Sequence, residues 1–181
     1  TYVVLGDGES NEGSIWEGVM SAAHLKLDNL TVVVDKNNLQ QTGKNQDILN
    51  LGNLTEKWKS FGWNTYEIDG HNVEEISDAF EKCRAEGGQR PRAIIAKTLK
   101  GKGVSFVEDK DGFHGKPITK GEQLDRALAE IGDAEISVPR PKVDVQPLDF
   151  QIGASFEAWT PAFEKGQKVA TRQAYGTALV N

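Results

Sequence analysis

Apolar and polar positions change their period several times along the first hundred residues, and each change marks an element. Residues 2–5, Tyr-Val-Val-Leu, form a short β-branched run of the kind that becomes a buried parallel strand. Gly6 and Gly8 interrupt it, and residues 14–27 then place Ile15, Val19, Ala22, Ala23 and Leu27 at helical spacing. Residues 30–34 read as a second strand, followed by a polar loop through Gly43. Residues 54–61 predict a helix and 63–68 a strand. Residues 73–84 predict a helix ended by Gly87 and Gly88, and 93–98 a fourth strand. Strands alternating with helices predict an α/β fold, a parallel sheet flanked by helices. Right-handed crossovers put those helices on both faces.

The pattern then fades. Residues 99–121 are rich in Gly, Lys and Asp and predict a long irregular loop, which in a compact domain is either functional or disordered. A helix follows at 122–131. From residue 136 to 166 the chain carries Pro139, Pro141, Pro147 and Pro161 and little periodicity, which is linker composition. The expected organisation is one domain over 1–135, a long C-terminal linker over 136–169, and the start of a second domain over 170–181. The chain opens without Met inside an apolar run and stops in mid-pattern, so the expectation is an incomplete fold from a longer product. A sheet lacking upstream strands would expose an apolar edge. Phe106, Phe113 and Trp159, in irregular regions, are expected to cover a partner surface rather than form a private core.

Composition narrows the function classes. At 181 residues, 38% hydrophobic and 27% charged, the chain suits a globular domain with its own core. A net charge of -6 argues against nonspecific nucleic-acid binding. No apolar run is long enough for a membrane span. Cys83 is the single cysteine, so no intrachain disulfide can form, and a reducing, cytoplasmic setting is expected.

Candidate chemistry sits where the first strand ends. Strand, Gly6-Asp7-Gly8, helix is a phosphate-binding layout, because ligands of open α/β sheets lie beyond the carboxyl ends of the strands. A dinucleotide fingerprint would need a third glycine where Asn11 stands, and Asp7 would aim a carboxylate at a pyrophosphate. Such repulsion makes sense if a cation lies between them. Mg²⁺ takes oxygen ligands and shares them with substrate phosphates. The loop after the second strand, Asp35-Lys36-Asn37-Asn38-Leu39, supplies an amide oxygen and a backbone carbonyl. Two readings stay open on spacing alone: a cation site, or Asp7 and the Asn pair as ordinary turn residues.

Gly6-Asp7-Gly8 followed by Asn37-Asn38 resembles the thiamine diphosphate motif. Glu12-Gly13, Trp16-Glu17 and Leu25-Lys26-Leu27-Asp28-Asn29-Leu30 resemble transketolases within that superfamily. The resemblance implies thiamine diphosphate with Mg²⁺, or Ca²⁺ or Mn²⁺ in its place. It implies Asp7, the Asn37 side chain and the Leu39 carbonyl as metal ligands. It makes Gly6, Asp7, Gly8, Glu12, Asn37, Leu39 and His114 cofactor residues, with the Gly8 N–H on the diphosphate. Glu12 and Glu17 would lie on a helix near a subunit interface.

Of the three histidines, His24 reads as a packing residue and His71, in Asp69-Gly70-His71-Asn72, as a turn or helix-start residue. His114 falls in Gly112-Phe113-His114-Gly115-Lys116-Pro117, after Lys97-Thr98-Leu99-Lys100-Gly101-Lys102-Gly103. These stretches resemble the transketolase loop that carries an active-site histidine, so the resemblance implies a catalytic His114, with Lys100 and Lys102 near the diphosphate. Residues 163–172, followed by Gln173-Ala174-Tyr175-Gly176, resemble the linker entering the pyrimidine-binding domain. The implied activity is transfer of a two-carbon ketol unit between sugar phosphates by a homodimer. The glutamate that activates the aminopyrimidine lies outside this chain, so the chain alone is expected to be inactive. Two alternatives are a noncatalytic cofactor-binding or assembly subunit, or the E1-type subunit of a 2-oxo acid dehydrogenase.

Overall fold

The structure is a computed structural model that describes residues 1–132, 163 and 166–180. The chain divides into two units, Thr1–Glu135 and Ile136–Asn181. In the first unit the main elements are β1 (Tyr2–Gly6), α1 (Gly13–His24) and β2 (Thr31–Lys36). A hairpin of β3 (Leu39–Gln40) and β4 (Gly43–Lys44), then α2 (Asn45–Ile48), α3 (Leu54–Ser60) and β5 (Asn64–Asp69), come next. The unit closes with α4 (Val73–Ala85), β6 (Arg92–Lys97) and α5 (Glu122–Ile131).

The four longer strands form one parallel sheet in the order β1-β2-β6-β5. Strand alternation sorts their side chains onto two faces. Val32, Val34, Ala93 and Ile95 face one side, where Val19 and Ala22 of α1 and Leu54 and Trp58 of α3 cover them. Ile94 and Val33 face the other, against Ala79 and Cys83 of α4. Helices on both faces explain why these strands read as continuous apolar runs rather than alternating ones. Trp58 is fully enclosed, and Trp63 stands edge-on to it while donating its Nε1–H to the Val19 carbonyl at 2.9 Å. β1 is an edge strand, and its Val4 is 73% exposed.

The starts of α3 and α4 carry side-chain caps. Asn53 Oδ1 accepts the Glu56 N–H, and Asn72 Oδ1 accepts those of Glu74 and Glu75. The end of α1 differs from the sequence expectation, stopping at His24 rather than residue 27. Lys26 adopts φ 55°, its N–H bonds to the Ala23 carbonyl, and the Leu27 N–H reaches back to Ala22. This is a Schellman closure with lysine where glycine usually stands, so no glycine marked the stop. Leu27 kept the apolar period although it lies beyond the helix.

The polar loop expected up to Gly43 contains the β3–β4 hairpin, and α2 follows it directly. In the irregular 99–121 segment, Phe106 and Phe113 pack edge to face with centroids 6.5 Å apart. They cover Val104, Val107 and Ala127, which corrects the expectation that they serve a partner surface. Glu130 of α5 anchors the segment by accepting the Ser105 N–H at 2.6 Å and its hydroxyl at 2.8 Å. Those bonds hold its carboxyl below the usual range. Small apolar clusters under long loops are common, and local residues built this one.

In the second unit α6 (Thr171–Val180) is described, while most of the 136–169 linker assignment, with Trp159, lies outside the described residues. No helix among the described residues is long and apolar enough to cross a membrane.

Candidate cofactor and metal site

Parallel register builds the site. Gly6 pairs with Asp35 at the carboxyl ends of β1 and β2, so the next residues of each strand leave the sheet side by side. The Asp7 N–H donates to the Asp35 carbonyl at 3.1 Å. A 3₁₀ turn over Glu9–Asn11 separates Gly8 from α1, and the buried Ser10 donates its hydroxyl to the Gly6 carbonyl at 3.3 Å.

Asp7 is 1% exposed. Its carboxylate accepts the Gly8 N–H at 2.8 Å and the Asn38 N–H at 2.6 Å. Burial nevertheless pushes its pKa up; those bonds and the Asn45 amide pull it down, and Asp35 adds a repulsive push. Among the described residues no salt bridge offsets this charge.

Asn37 is 5% exposed, with Oδ1 accepting the Leu39 N–H at 3.0 Å and Nδ2 donating to Asp35 Oδ2 at 3.3 Å. The other Asp35 oxygen accepts the Thr98 hydroxyl from the end of β6. Asp7, Asn38 and Leu39 open onto a cleft of about 410 Å³, together with Lys36, Lys44 and Asn45. The Asn45 side chain is buried with neither Nδ2 nor Oδ1 in a well-formed hydrogen bond. A Cβ on Gly8 would stand 2.8 Å from the Gln40 Cβ of the hairpin. Only glycine lets that loop approach so closely.

These features fit a hydrated or diphosphate-bound divalent cation. A desolvated carboxylate and a second carboxylate beside it are what a divalent cation with oxygen ligands would satisfy. Among the described residues there is no cluster of three His, Cys, Asp or Glu side chains. A metal here would rely on one carboxylate and neutral oxygens.

Gly6, Asp7, Gly8, Asn37 and Leu39 lie at the adjacent ends of β1 and β2; Asp7 and Leu39 line the cleft, whereas Gly6, Gly8 and Asn37 do not. The Gly8 N–H, assigned to the diphosphate by resemblance, donates to Asp7 itself. Glu12 is exposed at the start of α1, where it makes no side-chain cap, and it does not line the cleft. His114 is half-buried with Nδ1 enclosed and unpartnered. It too does not line the cleft, which its loop reaches through Asp109. Lys102 lies 3.9 Å from Glu108. His71 accepts the Leu99 N–H on Nε2 at 2.8 Å and donates its own backbone N–H to Asp69. It is a turn residue that also anchors the start of the long loop. Sequence reasoning passed over Asp35, Thr98 and Asn45. Asp35 and Thr98 both lay inside quoted stretches without being given a role, and Asn45 had no local signal.

A parallel sheet with a buried acidic turn and an asparagine loop at adjacent strand ends makes this an α/β domain with its candidate site at the carboxyl edge of the sheet. The family described as "Transketolase, thiamine diphosphate binding domain" matches residues 1–175, and the chain belongs to it. A "Transketolase-like protein 2" from Bos taurus is 41% identical over 98% of this chain and 29% of its own length. Transketolase from Homo sapiens is 38% identical over 98% of this chain and 28% of its own length. The chain thus spans less than a third of these relatives. The solved transketolase from Leishmania mexicana superposes with a TM-score of 0.66 at 27% identity, over 72% of this chain and 19% of that one.

Proposed function

We propose that the full-length protein is a transketolase, moving a two-carbon ketol unit from a ketose phosphate to an aldose phosphate with thiamine diphosphate and Mg²⁺. The observation that carries this reading is the buried Asp7 carboxylate, without an ion-pair partner among the described residues, facing a cleft lined by Lys36 and Lys44. Asp7, the Asn37 side chain and the Leu39 carbonyl would hold the metal. The two lysines would offset diphosphate charge that Asp7 alone would repel. Thiamine diphosphate, when bound, supplies the electron sink for cleaving a carbon–carbon bond next to a carbonyl. His114 would orient a substrate oxygen or relay its proton, the work of a neutral imidazole in a loop. The enzyme would act as a cytoplasmic homodimer, and residues 1–181 alone would be inactive.

A second reading has its own support. One subunit of an apulose-4-phosphate transketolase from Actinobacillus succinogenes is 42% identical over 73% of this chain and 47% of its own length. A chain of that kind would need a partner polypeptide.

The test is full-length protein with thiamine diphosphate, Mg²⁺, a ketose phosphate donor and an aldose phosphate acceptor, repeated in EDTA and with a 2-oxo acid donor. Metal-dependent ketol transfer supports the proposal. Turnover only of the 2-oxo acid would replace it with the dehydrogenase reading. Activity appearing only after a second polypeptide is added would select the two-chain reading.

A further inference from the structure

We propose that Asp35 is the positioning residue of the metal site, fixing which way the Asn37 amide faces, with Thr98 holding the Asp35 carboxylate in place. This inference rests on the metal reading above and concerns how this chain's own residues shape that site.

An asparagine amide has a donor end and an acceptor end, and the end facing a metal must be the oxygen. At Asn37 the choice is forced. Nδ2 donates to Asp35 Oδ2 at 3.3 Å, and a carboxylate only accepts. Oδ1 accepts the Leu39 N–H at 3.0 Å and keeps a second lone pair. Turning the amide over would set oxygen against the Asp35 carboxylate and NH₂ against the Leu39 N–H, two repulsive contacts. Remove the carboxylate and only the Leu39 bond still orients the group.

Asp35 is itself held. Its other oxygen accepts the Thr98 hydroxyl, a residue 63 positions away at the end of the neighbouring strand. The Thr98 N–H donates to the Lys36 carbonyl at 3.2 Å. Gly70 packs against the threonine so closely that a Cβ there would lie 2.5 Å from Thr98 Cγ2. The Asp35 carbonyl also accepts the Asp7 N–H at 3.1 Å. One residue therefore touches both residues whose side chains are assigned to the metal, from β2, and is locked by β6. Hydrogen-bond partners of metal ligands are commonly worth roughly 10–100-fold in metal affinity.

The variant is Asp35→Asn in the full-length protein, titrated with Mg²⁺ and separately with Ca²⁺ at saturating thiamine diphosphate. Its amide can accept from Thr98 or from Asn37, not both, and offers NH₂ to the other. Mg²⁺ demands near-ideal octahedral geometry, while Ca²⁺ tolerates displaced ligands. Mg²⁺ affinity is expected to fall by roughly 10–100-fold, Ca²⁺ affinity by clearly less, with the metal-free protein still folded and melting cooperatively. Unchanged Mg²⁺ affinity overturns the proposal. An equal fall for both metals also overturns it, in favour of simple charge loss. Should Asp35→Asn unfold the metal-free protein, Thr98→Val decides: a several-fold fall in Mg²⁺ affinity supports the proposal and no change overturns it. If the unaltered protein bound no metal with the cofactor, the functional reading would fall first and this inference with it.

Discussion

The Asn38 N–H donates to the Asp7 carboxylate at 2.6 Å, joining two loops whose residues lie 31 positions apart. The bond exists because β1 and β2 run parallel in register, so both loops leave the sheet at one edge. It also means that the one carboxylate assigned to the metal is built into the backbone of the loop supplying the other ligands.

Asp7→Ala should therefore act twice. It deletes the proposed charged ligand, and it leaves the Gly8 and Asn38 N–H groups without their acceptor. Mg²⁺-dependent binding of thiamine diphosphate to the full-length protein should drop by about two orders of magnitude or more. The metal-free protein should lose about 1–3 kcal/mol from the unpaired donors. Calorimetric titration with and without EDTA measures the first effect, and denaturant melts the second. Binding that survives would remove Asp7 from the metal site.

His114→Ala separates chemistry from binding. The imidazole does not line the cleft around Asp7, so cofactor affinity should change little. Turnover should fall by about 10²–10⁴-fold if the group transfers a proton. Steady-state rates beside a cofactor titration check this, and an unchanged rate would return His114 to an ordinary loop residue.

Gly70→Ala tests the packing between two strand ends. The added methyl would meet Thr98 Cγ2 at 2.5 Å and the Lys97 carbonyl at 3.0 Å. One of those atoms is backbone and the other sits on a β-branched side chain, so neither can swing away, and a loss of about 1–3 kcal/mol is expected. His71→Ala, which removes only the acceptor of the Leu99 N–H, should cost about 1 kcal/mol. Thermal melts of both variants would rank them, and equal losses would mean the glycine contact relaxes freely.

Tyr66 governs an alkaline effect. Burial, then its hydrogen bond to the Glu86 carboxylate, push its phenol well above the ordinary value of 10.0. In the folded protein the proton stays on where the unfolded chain has released it. Stability from this group is complete below pH 10 and is lost as pH climbs from there towards the folded pKa. Tyr66→Phe should flatten that part of the alkaline limb in denaturant melts between about pH 9 and 11. An unaltered slope would mean the phenol is neither buried nor held by Glu86 in solution.

The strand and helix order was legible because both faces of the sheet are covered, which makes the strands continuous apolar runs and the helices amphipathic. Gly6-Asp7-Gly8 and Asn37-Asn38 stood out through their resemblance to the thiamine diphosphate motif, since spacing alone left an ordinary turn reading open. The stop of α1 was hidden, since lysine occupies the left-handed position there. The β3–β4 hairpin was hidden too, being two residues a side and polar.

What the chain settles alone is therefore periodic or local: the α/β pattern, the acidic turn, the asparagine loop and the absence of a second cysteine for a disulfide. Tertiary structure decided what depends on strands meeting. The order β1-β2-β6-β5 set Thr98 against Asp35, across 63 residues of sequence, and Asp35 in turn against Asn37. The same folding buried Asp7 and brought Asn45 and two lysines to its cleft. Periodicity records which side of an element faces the core. Which strand ends become neighbours is a property of the sheet as a whole, and the electrostatics of the site follow from that.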